Sequence, residues 1–226
     1  MTDAGRLASD LAFWGFWATF GSALRLGLRM RVEGPGLPRG PCVIVANHAS
    51  YLDPVLLGAV CRRRIVFLMS ATIYRTPPLC WFYRWNRAIP VEPHGNNRAA
   101  LRRAREELAS GGVLGVFPEG GISRDGELLL GNPGAVALAL GAEAPIVPVG
   151  ILGSADVLPP HRRLPRPRQV CVRFGAPMEW RALLGDGDPG GRKQRLQLAT
   201  RAVMDAIAAL AGQRSRESVL AERGMR

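Results

Sequence analysis

Short apolar runs bounded by turn residues recur along this chain, and their length and period separate strands from helices. Cys42-Val43-Ile44-Val45-Ala46 is the clearest run, five apolar residues without a polar break, the signature of a strand covered on both faces. By the same reading, strands are predicted at 28–33, 42–47, 65–70, 88–92, 113–119, 145–152 and 170–174. Gly34-Pro35-Gly36-Leu37-Pro38 makes a turn after the first, an edge strand. Helical period appears between them. Asp53-Pro54 opens a helix through Cys61, with Asp53 as N-cap and Pro54 at the first helical position. Residues 97–108 place Ala100, Ala104 and Leu108 on one face, opposite an Arg/Glu face. A helix at 133–142 precedes the sixth strand, and 192–210 turns Leu196, Thr200, Val203, Ile207 and Leu210 inward. Residues 78–85 form a short aromatic helix, either at a site mouth or in the core. Strands alternating with helices predict an α/β fold, a mostly parallel central sheet flanked by helices.

One apolar segment stands outside that alternation. Leu11 to Leu24 reads LAFWGFWATFGSAL, closed by Asp10 and Arg25. Its 14 residues fall short of the about 20 that a membrane-spanning helix needs. Asp3 and Asp10 ahead of it argue against a secretory signal. Phe13, Trp17, Phe20 and Leu24 recur at helical spacing, with Trp14 and Phe16 beside them, a pattern suited to the lipid headgroup boundary. Residues 1–27 are therefore expected to form an interfacial helical anchor; the alternative is a helix packed on the protein's own core. The rest divides into one domain at 28–212 and a polar tail at 213–226, with no Ser/Pro/Gln-rich linker to separate two domains.

Composition changes this picture in two places. The formal charge of +12 rests on arginine, Lys193 being the sole lysine, and calls for an anionic partner. A phosphate-cradling Gly-Lys-Ser/Thr loop is absent, as are basic residues interleaved with aromatics, so no nucleic-acid partner is expected. An anionic leaflet remains, where each Arg held near the surface gains about 1 kcal/mol. Cys42, Cys61, Cys80 and Cys171 are scattered without a C-x-x-C pair and read as small hydrophobes in a reducing compartment. With His48, His94 and His161 the only histidines, no metal-ligand spacing occurs and no metal is expected.

Candidate chemistry begins where the apolar run ends. Asn47-His48-Ala49-Ser50-Tyr51-Leu52-Asp53 puts an imidazole at a strand's C-terminal end, where sites of open α/β sheets gather, and a carboxylate five residues on. A carboxylate on one ring nitrogen fixes the tautomer and leaves the other nitrogen free to take a proton. A lone histidine at a strand end more often caps a turn. Here a second strand, Val113 to Val116, runs through Phe117-Pro118 into Glu119 on a glycine-rich turn.

Asn47-His48-x-Ser50-x-x-Asp53, Ala88-Ile89-Pro90-Val91-Glu92, Phe117-Pro118-Glu119-Gly120 and Ala144-Pro145-Ile146-Val147-Pro148-Val149 resemble, in order and spacing, the four motif blocks of the lysophospholipid (1-acyl-sn-glycerol-3-phosphate) acyltransferases. The resemblance spans Val32 to Pro177. It implies a glycerolipid acyltransferase-like fold and an enzyme that moves a fatty acyl chain from acyl-CoA or acyl carrier protein to a lysolipid hydroxyl. The default acceptor is 1-acylglycerol-3-phosphate, giving phosphatidic acid. His48 is the expected general base and Asp53 its orienting partner. Asn47, Ser50, Glu119, Gly120, Gly121, Ser123, Arg124 and Arg87 are expected to bind substrate, with Glu119 holding an acceptor hydroxyl or an arginine or else capping the next turn. G-x-S-x-G is absent, so direct transfer without an acyl-enzyme is expected, with the thioester as co-substrate and no resident cofactor. The expected place is the cytoplasmic face of a membrane, peripheral or monotopic.

Three departures bear on the acceptor. Positions that are basic in phosphate-acceptor members are Pro93, Ile122 and Asn132 here. A charge-assisted hydrogen bond is worth about 1.5–3 kcal/mol, so unreplaced losses remove phosphate selectivity. Arg124, Arg87 and Arg98 are the candidate replacements. The alternatives are an acceptor without phosphate, such as a lyso-amino-acid lipid or glycolipid, or an inactive lipid-binding protein.

Overall fold

The computed structural model describes residues 3–93, 95–123, 127–159, 164–184 and 191–214. Its strands are β1 (Arg31–Glu33), β2 (Cys42–Ala46), β3 (Ile65–Ser70), β4 (Ile89–Val91), β5 (Val113–Val116), β6 (Ile146–Leu152) and β7 (Cys171–Phe174). They make one seven-stranded sheet in the order β1-β7-β6-β2-β5-β3-β4. All neighbours are parallel except β6 and β7. This is the expected α/β architecture, and β2 at its centre is buried at every residue, as its unbroken apolar run requires.

Helices cover both faces. Cys42 and Ile44 point into one apolar layer with Leu56 and Leu57 of α2 (Asp53–Val60) and Val157 of α7 (Ser154–Val157). Val43 and Val45 point into the other, built from α5 (Arg98–Ala109), α6 (Gly134–Gly141) and α9 (Arg192–Ala211). Short α3 (Ala71–Tyr74), α4 (Cys80–Trp85) and α8 (Trp180–Leu184) fill connections. The helix after β2 thus lies on one face and the helix after β5 on the other. Adjacent parallel strands with that divergence leave a crevice at their C-terminal ends, and the β2–β5 register, Val45 opposite Val116, brings the two following loops out side by side.

Several boundaries differ from expectation. The fifth strand stops at Val116, because Phe117-Pro118 cannot continue the ladder and the chain turns at Glu119. The first is three residues long, since α1 (Asp3–Gly27) runs further than the apolar segment and Arg29 takes a positive φ after it. Asp53 is not an N-cap: Leu52 occupies that place without a side-chain bond, and Asp53 is the first helical residue. Its carboxylate turns back to the preceding loop, where stronger claims on it lie.

α1 has two faces. Phe13 is buried, the Trp17 ring lies over Gly58 of α2 and Gly21 approaches Ala59. Asp10 accepts from both Arg64 (2.8 Å) and Arg87 (3.0 Å), and the Arg64 guanidinium sits 3.6 Å over the Phe13 ring. Phe13 and Phe16 also meet Trp85 of α4 edge-on. The opposite face leaves Leu11, Trp14 and Leu26 in solvent, and Phe20, stacked on Phe16 at the margin of the packed face, is 41% exposed. Core packing and an exposed aromatic face are combined in one helix, so the segment is more than an appendage. No described helix is long and apolar enough to cross a membrane.

Candidate active site

His48 follows β2 at the sheet's C-terminal edge and is held from four directions. Its Nδ1 lies 2.8 Å from Asp53 Oδ2. Its backbone N–H donates to Glu119 Oε1 at 2.6 Å, and its carbonyl accepts from the Ser123 N–H at 2.8 Å. The ring stacks on Phe117, 4.2 Å between centroids at 20°, and Phe117 stacks in turn on Phe67. The side chain keeps 17% exposure, while Asp53 has none.

The Asp53 carboxylate explains the local chain path. Oδ2 accepts the Ala49 and Ser50 backbone N–H groups (2.7 and 2.8 Å) as well as facing the imidazole. A carboxylate has no proton to give, so the Nδ1 contact places the proton on Nδ1 and leaves the Nε2 lone pair for chemistry. Oδ1 is buried without a hydrogen-bond partner among the described residues.

Asn47 and Ser50, expected to touch substrate, lie underneath. The Asn47 amide donates to the Ile151 carbonyl (3.0 Å) and accepts the Ile151 N–H (2.7 Å), clasping β2 to β6. The fully buried Ser50 hydroxyl donates to the Leu158 carbonyl (2.8 Å). Their polar groups bond backbone and shape the histidine turn.

Glu119 is engaged by two backbone donors. Oε1 takes the His48 N–H, and Oε2 takes the Leu129 N–H at 2.9 Å. Burial pushes this carboxyl above its ordinary value, against the pull of those two donors and of His48, with Asp53 pushing the same way as burial. Gly120 has φ +66°, which a side chain would strain, and Gly121 is exposed beside it. Ser123 Oγ donates to the Glu127 carbonyl (2.6 Å), so this serine builds the turn. Arg124 lies outside the described residues.

Arg87 is bonded to Asp10 of α1. Arg98, the third candidate replacement, opens α5 and lines a 440 Å³ cleft with Asn96, Ala99 and Arg102. Among the described residues, then, the structure brings together His48, Asp53, Glu119 and Ser123, and it does not bring Arg87 to them. Phe117 was missed as a contact of the imidazole, although its place before Pro118-Glu119 was a signal. Leu129, Ile151 and Leu158 act through backbone atoms and carry no side-chain signal at all.

Comparison with known proteins agrees with this fold. The chain is 29% identical over 121 residues to the chloroplastic 1-acyl-sn-glycerol-3-phosphate acyltransferase BAT2 of Brassica napus, covering 53% of this chain and 35% of that protein. It is 32% identical over 135 residues to the lyso-ornithine lipid O-acyltransferase of Pseudomonas aeruginosa, covering 59% and 51% respectively. The chain thus spans about a third to a half of the length of these curated relatives. The crystal structure of the 1-acyl-sn-glycerophosphate acyltransferase PlsC from Thermotoga maritima superposes with a TM-score of 0.69 at 25% identity, over 96% of this chain and 86% of that one. The profile of the family described as Acyltransferase matches residues 29–152, the stretch that holds β2, β5 and the histidine turn between α1 and α7. That match covers more than half of the chain, and with it the chain belongs to the Acyltransferase family.

Proposed function

We propose that this protein transfers a fatty acyl group from a thioester donor, acyl-CoA or acyl carrier protein, to the hydroxyl of a lysolipid. The observation that carries the reading is the His48–Asp53 pair, with Nδ1 held at 2.8 Å by a buried carboxylate and the ring partly exposed. The acceptor hydroxyl gives its proton to His48 Nε2 as its oxygen attacks the thioester carbonyl. The tetrahedral intermediate collapses by expelling the thiolate, and the imidazolium returns its proton to that sulfur. Asp53 stabilises the imidazolium without taking its proton. The stack on Phe117 keeps the ring from rotating out of line. No resident cofactor enters this scheme; the thioester supplies the energy.

The leading acceptor is 1-acylglycerol-3-phosphate, for which several relatives are named. A second reading, a lysolipid without phosphate, is favoured by one observation: Arg87 is spent on Asp10, while Pro93, Ile122 and Asn132 are neutral. The lyso-ornithine lipid acyltransferases among the relatives are named for such an acceptor. An inactive lipid-binding protein would have no use for the orientation of His48 by Asp53.

The exposed face of α1, together with Trp81 of α4, is proposed to rest in a lipid headgroup layer at the cytoplasmic face, where acceptor and membrane meet. The aromatic exposure supports this, as do four free cysteines suited to a reducing compartment.

The test is to incubate the protein with labelled acyl-CoA or acyl carrier protein and a panel of phosphate and phosphate-free lysolipids, reading products by mass. His48→Ala is expected to lower turnover by about 10²–10⁴ with the fold retained. Asp53→Asn is expected to lower it also, because the neutral amide keeps an oxygen toward the Ala49 and Ser50 N–H groups but carries no charge to stabilise the imidazolium. Near-normal turnover by His48→Ala would remove the general-base role.

A further inference from the structure

We propose that Glu119 is a positioning residue that fixes the His48 peptide for proton transfer, and that it does not hold the acceptor; this rests on the acyl-transfer reading above. Each of its carboxylate oxygens is already engaged by a backbone N–H, Oε1 by His48 and Oε2 by Leu129. An acceptor hydroxyl would have to share one of them. The surrounding loop is built as a brace for the same peptide. Ser123 donates its N–H to the His48 carbonyl, so the peptide units on either side of the histidine are both gripped by the segment that follows β5. The Asn132 N–H donates to the Pro118 carbonyl at 2.8 Å, closing the segment's base. Leu128, fully buried in the layer with Val45 and Leu114, fastens its far side to the core.

Hydrogen bonds from neutral N–H groups to a carboxylate are among the stronger kinds, and two from separate loops make Glu119 the cross-link between the β2 turn and the β5 loop. Without it the imidazole keeps Asp53 but loses the fixed backbone from which it is projected. A displacement on the order of 1 Å at such a centre costs about a hundredfold in rate while leaving ground-state binding nearly intact. The side chain therefore acts on the reaction through His48, from beneath, and the acceptor specificity lies elsewhere.

Glu119→Gln separates the two roles, because its amide oxygen still accepts one N–H while its NH₂ faces the other. In the full-length variant, kcat is expected to fall by about 10- to 100-fold while KM for the preferred lysolipid stays within about twofold. Amide hydrogen exchange, measured without substrate, is expected to quicken at His48 or Leu129 by about tenfold or more, the equivalent of one charge-assisted hydrogen bond. Exchange across β2 and β5 should not change. Glu119→Asp, one methylene too short to span both donors, should behave alike. A KM raised about tenfold with kcat preserved and exchange unaltered would overturn the proposal and return Glu119 to acceptor binding. So would unprotected His48 and Leu129 amides in the wild-type protein, a measurement that needs no variant to fold. If the wild-type protein acylates no lysolipid in the panel, the acyl-transfer reading falls by itself, and the exchange results still decide whether Glu119 holds the peptide.

Discussion

Two carboxylates meet one histidine, and they serve it by different means. Asp53 faces the ring and sets its tautomer; Glu119 faces the main chain and sets where the ring stands. Glu119's burial has a consequence for pH. Its carboxyl is raised by desolvation in the folded protein relative to the unfolded chain, so in the window between the ordinary carboxylate value and the raised one the folded state binds more protons. Stability from this group therefore increases as the pH falls through that window, and it is level below the ordinary value. Activity should move the other way, since protonation removes an acceptor from one of the two N–H groups. The expected outcome is that mild acidification lowers turnover before it lowers the melting temperature, and that Glu119→Gln removes this group's part of the stability slope. Turnover and melting temperature declining together from neutrality would count against the account.

At the scale of elements, close approaches decide where helices sit. β6 runs directly under α9, and a Cβ added at Gly150 would stand within 2.5 Å of the Ala211 nitrogen, with the Leu210 carbonyl group crowding the same place. Backbone cannot give way as a side-chain end can. Gly150→Ala is expected to destabilise the protein by about 1–3 kcal/mol, read as a lowered urea midpoint. The α1–α2 contact is built on the same device with a softer partner, since a Cβ at Gly58 would meet the far edge of the Trp17 ring at 2.6 Å. Gly58→Ala should shift Trp17 and its fluorescence while costing less, because alanine also recovers helix propensity of roughly 0.5–1 kcal/mol. If Gly58→Ala proved as costly as Gly150→Ala, α1 would be a rigid part of the core and less suited to lie at a lipid surface.

For the whole molecule, the question is how a +12 protein with an exposed aromatic face meets a membrane. Two forces contribute, arginine attraction to anionic lipid and burial of rings such as Trp14, Phe20 and Trp81, which are 41%, 41% and 63% exposed. They separate by salt. Flotation with anionic vesicles should weaken, but persist in part, as salt is raised from about 0.1 M to about 1 M and the screening length shrinks from about 10 Å to about 3 Å. A Trp14→Ala, Phe20→Ala, Trp81→Ala variant should lose the salt-resistant part. Complete loss in salt together with no effect of the triple variant would leave α1 without an interfacial role.

Sequence by itself determined the main strands and the longer helices of the α/β core, because burial on both faces writes an unbroken apolar run such as Cys42–Ala46, and one-sided burial writes the Ala100, Ala104, Leu108 period. It also made the His48–Asp53 pairing legible, since the two residues lie only five apart on one turn. What tertiary structure alone decided is which polar groups those residues leave free. Glu119 reaches a backbone N–H 71 residues away, Arg87 reaches Asp10 across 77, and Asn47 clasps Ile151 across 104. Each partner is either a main-chain atom, identical in every residue, or a charge on a distant helix, so local pattern holds no trace of it. A motif places a carboxylate at the site; only the packed fold determines whether it faces the substrate or the protein.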